Sequence, residues 1–80
     1  TVEDRKKLVK LTKEMLEETK VALRNIRRED IKKVKDDKNN SKLSEDEAKK
    51  IEEEIQEVLK SMEEEVEKIY ERKEKEIMEN

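Results

Sequence analysis

The chain has 80 residues, of which 56% are charged and 30% apolar, and it contains no glycine, proline, cysteine or histidine. Without glycine or proline, nothing supplies a positive φ angle at low cost or interrupts a helical hydrogen-bond ladder, so we expect an all-α protein. The lack of cysteine and histidine excludes disulfides, thiolate and imidazole chemistry, and nearly all structural zinc sites.

The net charge of −3 conceals two unlike halves. Residues 1–40 hold 13 Lys and Arg against 9 Asp and Glu, whereas residues 41–80 hold 8 against 15. A basic helix beside an acidic one suits antiparallel pairing, and it leaves one face able to attract a polyanion. The longest apolar run has three residues, Val21 to Leu23, and no leader is evident, so we expect a cytoplasmic protein without a membrane span.

The first helix is predicted over about residues 2–36. Thr1 as N-cap and Asp4 in the first turn would satisfy the unpaired amides and oppose the partial positive charge there. Apolar side chains recur at helical spacing and cover a stripe about 140° wide, at about 100° per residue, which is enough to contact two neighbours. The stripe consists of Leu8, Val9, Leu11, Met15, Leu16, Ala22, Leu23, Ile26 and Val34.

A turn is predicted over about residues 37–44, because Asp36 to Ser41 contains no apolar residue and is rich in side chains that compete for backbone hydrogen bonds. Ser44 and Glu47 have the spacing of a capping box, so a second amphipathic helix is expected over about residues 45–79. Its apolar residues are Ala48, Ile51, Ile55, Val58, Leu59, Met62, Val66, Ile69, Tyr70 and Ile77. Because no glycine or proline enforces a reversal, one continuous helix, with exchange of helices between two chains, is an alternative.

Two helices that face each other cover only part of each apolar stripe. We therefore predict a long antiparallel hairpin that self-associates into a three- or four-helix bundle, with a dimer as the first choice. The residues expected to mediate self-association are Leu8, Met15, Leu16, Leu23, Ile26, Ile55, Met62, Val66 and Ile69.

A row of basic residues flanks the stripe of the first helix and falls within about 100° on a helical wheel. This basic face consists of Lys6, Lys10, Lys13, Lys20, Arg24, Arg27, Arg28 and Lys35, and only Glu17 interrupts it. Arginine and lysine bind phosphates, so the face is a candidate RNA-binding surface, although spacing alone favours a plain solvated face.

Other candidate sites have weaker patterns. Tyr70 is the only aromatic residue and is expected at the edge of the core, because reading single-stranded RNA needs several stacking rings.

The side chains within each of the acidic runs Glu52–Glu54 and Glu63–Glu65 point in different directions around a helix, so no metal site is predicted. A calcium-loop pattern beginning at Asp37 fails because Lys42 stands where glycine is required. We predict no catalytic group, no cofactor and no small-molecule substrate.

The segment Val21–Glu29, which reads Val-Ala-Leu-Arg-Asn-Ile-Arg-Arg-Glu, resembles the signature of bacterial ribosome recycling factors. Supporting matches lie at Thr1–Val9, Leu43–Glu47, Glu53–Gln56 and Lys75–Glu79, so the resemblance spans nearly all eighty residues.

Family members are L-shaped, with a three-helix bundle and a β-rich domain inserted between the first bundle helix and the other two. This chain is similar to those other two helices only, which agrees with the uncovered apolar surface. The resemblance implies that the protein acts together with elongation factor G after termination, when the ribosomal subunits are separated. It also implies that the bundle contacts large-subunit ribosomal RNA and that the protein catalyses no reaction. The RNA-contacting arginines of the family match Arg24, Arg27 and Arg28, and Lys13, Lys20 and Lys35 extend the same face. Without the second domain, we expect residual RNA binding at most.

The stretch from Val58 to Glu65 departs from the usual family pattern and is interpreted as redesigned. Three hypotheses therefore stand: a self-associating scaffold derived from the family, an RNA-binding module, and a wholly designed bundle with a chance resemblance.

Overall fold

A computed structural model describes residues 1–79, which form two helices and a short connection. Helix α1 runs over Val2–Asn39 and helix α2 over Glu45–Glu79, and the chain folds back between them into a hairpin of 60 × 15 × 9 Å. The all-α fold and the helical hairpin are thereby confirmed, and the continuous-helix alternative is not adopted. The radius of gyration is 18.1 Å, against about 12 Å for a compact domain of this length, because the hairpin has no third layer.

Helix α1 begins at the predicted cap. The Asp4 N–H donates a hydrogen bond of 3.2 Å to Thr1 Oγ1. Asp4 and its neighbour Glu3 also place negative charge in the first turn, where the helix dipole is positive.

The end of α1 lies at Asn39, three residues beyond the position that the sequence pattern gives it. The polar residues after 36 continue the helix because a Schellman motif closes its last turn. The Lys42 N–H donates to the Asp37 carbonyl at 2.8 Å, and the Ser41 N–H donates to the Lys38 carbonyl at 3.0 Å. Ser41 has a φ of 59°, in the left-handed region that favours glycine. The reversal is therefore made without glycine.

A capping box starts α2. The Glu47 N–H donates to Ser44 Oγ at 3.1 Å, and the Ser44 N–H donates to Glu47 Oε1 at 3.0 Å. Leu43 is half-buried and Ala48 is buried, as a hydrophobic staple between them requires.

The core is a single seam between the helices. Its buried residues are Thr12, Leu23, Val34 and Ala48, and no side chain among residues 1–79 is completely inaccessible. The accessible surface of 6656 Å² exceeds by about 1,500 Å² the value typical of a globular protein of 9.7 kDa. Neither helix, as described over residues 1–79, has an apolar stretch long enough to cross a bilayer.

Candidate functional surfaces

One side of the hairpin carries large apolar side chains that no neighbour covers. Each of these side chains is between 45% and 58% exposed. They are Leu8, Leu11, Met15 and Ile26 of α1 and Val58, Met62 and Ile69 of α2, and together they define the apolar face.

The contributions of the two helices to the apolar face lie on the same side of the molecule. Ile26 and Met62 line one open groove of about 390 Å³, together with the acidic side chains of Asp30 and Glu54. The other residues of this groove are Ile51, Ile55, Val58 and Leu59. The groove is therefore mainly apolar, with two carboxylates among its lining residues.

The residues predicted for self-association divide by their position in the hairpin. Leu8, Met15, Ile26, Met62 and Ile69 are exposed and belong to the apolar face. The half-buried members are Leu16, Ile55 and Val66.

Leu23 is placed differently from the other residues of that set. It is buried in the seam, where it contributes to the hairpin core and not to an exposed surface. On the helical wheel, Leu23 and Ile26 are about 60° apart, so α2 covers one edge of the stripe and leaves the other in water.

The basic face lies on the other side of the hairpin from the apolar face. Arg24 is about 160° from Ile26 around α1, and with Arg27 it lines a second groove. Residues of α2 complete this groove, namely Gln56, Glu57, Leu59, Lys60 and Glu63, with Leu23 at its floor.

Two cations of the basic face form ion pairs. Lys20 Nζ is 2.7 Å from Glu67 Oε1, and the Lys20 side chain is 23% exposed. The hydrogen bond that Lys20 Nζ donates to Glu67 is the largest effect on the pKa of Lys20 and raises it. Desolvation opposes this effect, and the negative charges of Glu67, Glu63 and Glu17 raise the pKa further. Arg24 is paired within α1, at 3.0 Å from Glu17.

The remaining cations of the face are exposed, and no ion pair joins them to another residue among those described. Arg27, Arg28 and Lys35 line a shallow groove near the turn end of α1 together with Lys32. We call these four residues the basic ridge. The sequence prediction had omitted Lys32, although its position four residues after Arg28 is the signal that identifies it.

The other sequence candidates lie outside both faces. Tyr70 is half-buried beside the seam. Within the part of the chain that the structure describes, no three carboxylates converge on a point where a metal ion could bind.

The fold and its surfaces thus define a long all-α hairpin with one basic side and one uncovered apolar side. The sequence model of the family described as ribosome recycling factor matches residues 1–78. The chain belongs to the ribosome recycling factor family.

Individual relatives agree with this assignment. The ribosome-recycling factor of Petrotoga mobilis is 74% identical over 80 residues, which cover all of this chain and 43% of that protein. Those of Fervidobacterium nodosum and Thermotoga petrophila are 51% and 48% identical over 79 residues, again 99% of this chain and 43% of the relative. The chain thus spans less than half the length of these relatives. Ribosome recycling factor is a non-enzymatic translation factor, in agreement with the prediction that the chain is not an enzyme.

Proposed function

We propose that this chain is a non-catalytic RNA-docking module whose basic face binds phosphates of large-subunit ribosomal RNA during ribosome recycling. The observation that carries the proposal is the separation of the two faces. Arg27, Arg28 and Lys35 project on the side of α1 away from the apolar face and form no ion pairs with the other described residues. Membership in the ribosome recycling factor family supports RNA as the polyanion, and it makes the cytoplasm the expected location.

The chemistry of the basic ridge suits a phosphate backbone. An arginine guanidinium offers paired donors that fit two phosphate oxygens, and a straight helix holds such groups in a row. If the four ridge cations each neutralise one phosphate, log K should fall against log salt with a slope of roughly −3 to −4. Arg24 is expected to contribute to binding as well, once its guanidinium leaves Glu17 and binds a phosphate.

Binding to purified large ribosomal subunits at low and high salt tests this proposal. The variant Arg24→Glu, Arg27→Glu, Arg28→Glu should lose binding by tenfold or more at low salt. A control with the same change in net charge, Lys42→Glu, Lys50→Glu, Lys75→Glu, alters exposed positions outside the basic face and should bind nearly as the parent does.

Equal binding by the two triple variants would reject the basic face as the docking surface. We propose that this docking takes place during the separation of the ribosomal subunits, which involves elongation factor G. The separation itself is an activity of the longer relatives and is not proposed for this chain alone.

A second candidate function is self-association through the apolar face. It is favoured by seven large apolar side chains that are about half exposed, since fully burying each such side chain contributes roughly 1.5 to 3 kcal/mol. Light scattering behind a sizing column should give twice the mass of 9.7 kDa. A folded monomer at high micromolar concentration would reject it.

The engineered origin of residues 58–65 stays a separate hypothesis. An alignment of this segment alone with natural relatives tests it. Identity far below the 74% of the whole chain would support redesign, and identity near that value would reject it.

A further inference from the structure

We infer that Lys60 of α2 belongs to the RNA-docking surface, where it binds the same stretch of phosphate backbone as Arg27 of α1. The inference rests on the proposed function and adds to the basic face a residue from the other helix. It follows from a break in the charge pattern of α2, which places the strongest positive potential in the groove between these two residues.

The ion pair of 2.7 Å between Lys20 and Glu67 shows which parts of the two helices lie opposite each other. In an antiparallel pair, seven residues forward along α1 correspond to seven residues back along α2, since both steps are about two helical turns. Arg27 therefore lies opposite Lys60. The groove of about 340 Å³ that these two residues line together agrees with this register.

The column of α2 next to the basic face is acidic except at one position. Its members at heptad spacing are Glu53, Lys60, Glu67 and Glu74. By the same register, Lys13 lies opposite Glu74, just as Lys20 lies opposite Glu67. A carboxylate opposite a cation lowers the positive potential in its surroundings. At Lys60 the column instead adds a positive charge, so α2 confines the attraction for a polyanion to the neighbourhood of Arg27.

The charged residues that line the groove differ in whether they are free to bind an anion. The cations are Arg24, Arg27 and Lys60, and the carboxylates are Glu57 and Glu63. Glu63 lies opposite Arg24, whose guanidinium is also paired with Glu17 at 3.0 Å. Glu57 is exposed and lies about 60° from Lys60 around α2. Arg27 and Lys60 are exposed and form no ion pair with another residue among 1–79, so an anion can bind both without displacing a carboxylate.

The chemistry of the two side chains fits a phosphate backbone. The Arg27 guanidinium offers paired donors in a fixed plane, and the Lys60 ammonium is a point charge on a flexible chain that can follow the next phosphate oxygen. None of the residues that line the groove is aromatic, so the groove lacks a ring on which a base could stack. We therefore expect contacts with the backbone that do not depend on the RNA sequence.

Binding of the full chain to purified large ribosomal subunits tests the role of Lys60. Lys60→Gln should weaken binding several-fold at low salt and should make the slope of log K against log salt less steep by about 1, because one phosphate contact is lost. The salt slope is a readout that a purely structural role would not change. The matched control is Lys50→Gln, which removes the same charge at another exposed position of α2 outside the groove and should bind nearly as the parent does.

Removal of a carboxylate from the groove is an independent test. Glu63 is half-buried opposite Arg24, so Glu63→Gln should strengthen binding several-fold at low salt. Glu65→Gln removes the same charge at an exposed position of α2 outside the groove and should have a smaller effect. Equal effects of the two variants would mean that net charge alone matters, and this would overturn the assignment of the site to the groove.

The outcomes separate the role of Lys60 from the proposed function on which it rests. Loss of binding in the variant Arg24→Glu, Arg27→Glu, Arg28→Glu, with a larger effect of Lys60→Gln than of Lys50→Gln, supports both. If the triple arginine variant loses binding while Lys60→Gln and Lys50→Gln bind alike and with equal salt slopes, the role of Lys60 alone is overturned. Binding that the arginine changes leave intact overturns both.

Discussion

Lys20 of α1 and Glu67 of α2 are joined by an ion pair of 2.7 Å, and no other ion pair among residues 1–79 connects the two helices. Both side chains are partly shielded, at 23% and 38% exposed. Apolar contacts along the seam tolerate sliding better than a hydrogen-bonded charge pair does. The pair therefore helps to fix the register of α1 against α2 and, with it, the alignment of the apolar residues that form one face.

The Lys20–Glu67 pair predicts a stability change at alkaline pH. The pKa of Lys20 is raised above its ordinary value of 10.5, mainly by the hydrogen bond to Glu67. Its contribution to stability is thus fully present below 10.5 and is lost as pH rises through the folded-state value. Denaturant unfolding at pH 8 and pH 11 should give a larger loss for the parent than for Glu67→Gln. The same pH dependence in Glu67→Gln would contradict the assignment.

The capping box predicts a change at acidic pH. Two hydrogen bonds with Ser44, the backbone one first, lower the pKa of Glu47 below its ordinary value of 4.5. The stabilisation is present above 4.5 and is lost as pH falls through the lowered value. In Glu47→Gln the amide oxygen can still accept from the Ser44 N–H but does not titrate, so helicity should fall less between pH 6 and pH 3. Glu57→Gln, at an exposed position within α2, serves as the control.

Ser41→Gly should stabilise the hairpin. Ser41 holds a φ of 59° at the end of α1, and a side chain beyond hydrogen disfavours that conformation. We expect a gain of about 0.5 to 1 kcal/mol in the free energy of unfolding. Asn40→Gly is the matched control because its φ is −89°, so glycine there should give no gain. An equal effect at both positions would mean that the left-handed geometry does not limit stability.

Val34→Ala and Val21→Ala make a matched pair that reports on the seam. Val34 is 7% exposed, whereas Val21 is 43% exposed and lies outside the apolar face. Loss of the buried methyl groups and the resulting cavity should cost about 2 to 3 kcal/mol at Val34. Val21→Ala should change stability by less than about 0.5 kcal/mol, since alanine is the better helix former. Thermal unfolding followed by circular dichroism would detect the difference, and similar melting of the two variants would argue against the seam.

The two helices, their N-terminal caps and the hairpin were accessible from the sequence because their determinants are local, whereas the cap at Ser41 that ends α1 was not predicted. Thr1, Ser44 and Glu47 act within one helical turn, and the spacing of Leu8, Met15 and Ile26 defines a stripe wherever the helix packs. The family was accessible as well, since Val21–Glu29 carries a recognisable order of residues.

The tertiary structure decided which part of each stripe is covered. The period of a helix places Leu23 and Ile26 on one stripe, but only the line of contact with α2 buries Leu23 and exposes Ile26. The tertiary structure also pairs Lys20 with Glu67, 47 positions away in the chain. No spacing rule within α1 can identify that partner. Periodicity describes one helix about its own axis, whereas burial and ion pairing depend on how two axes are placed relative to each other.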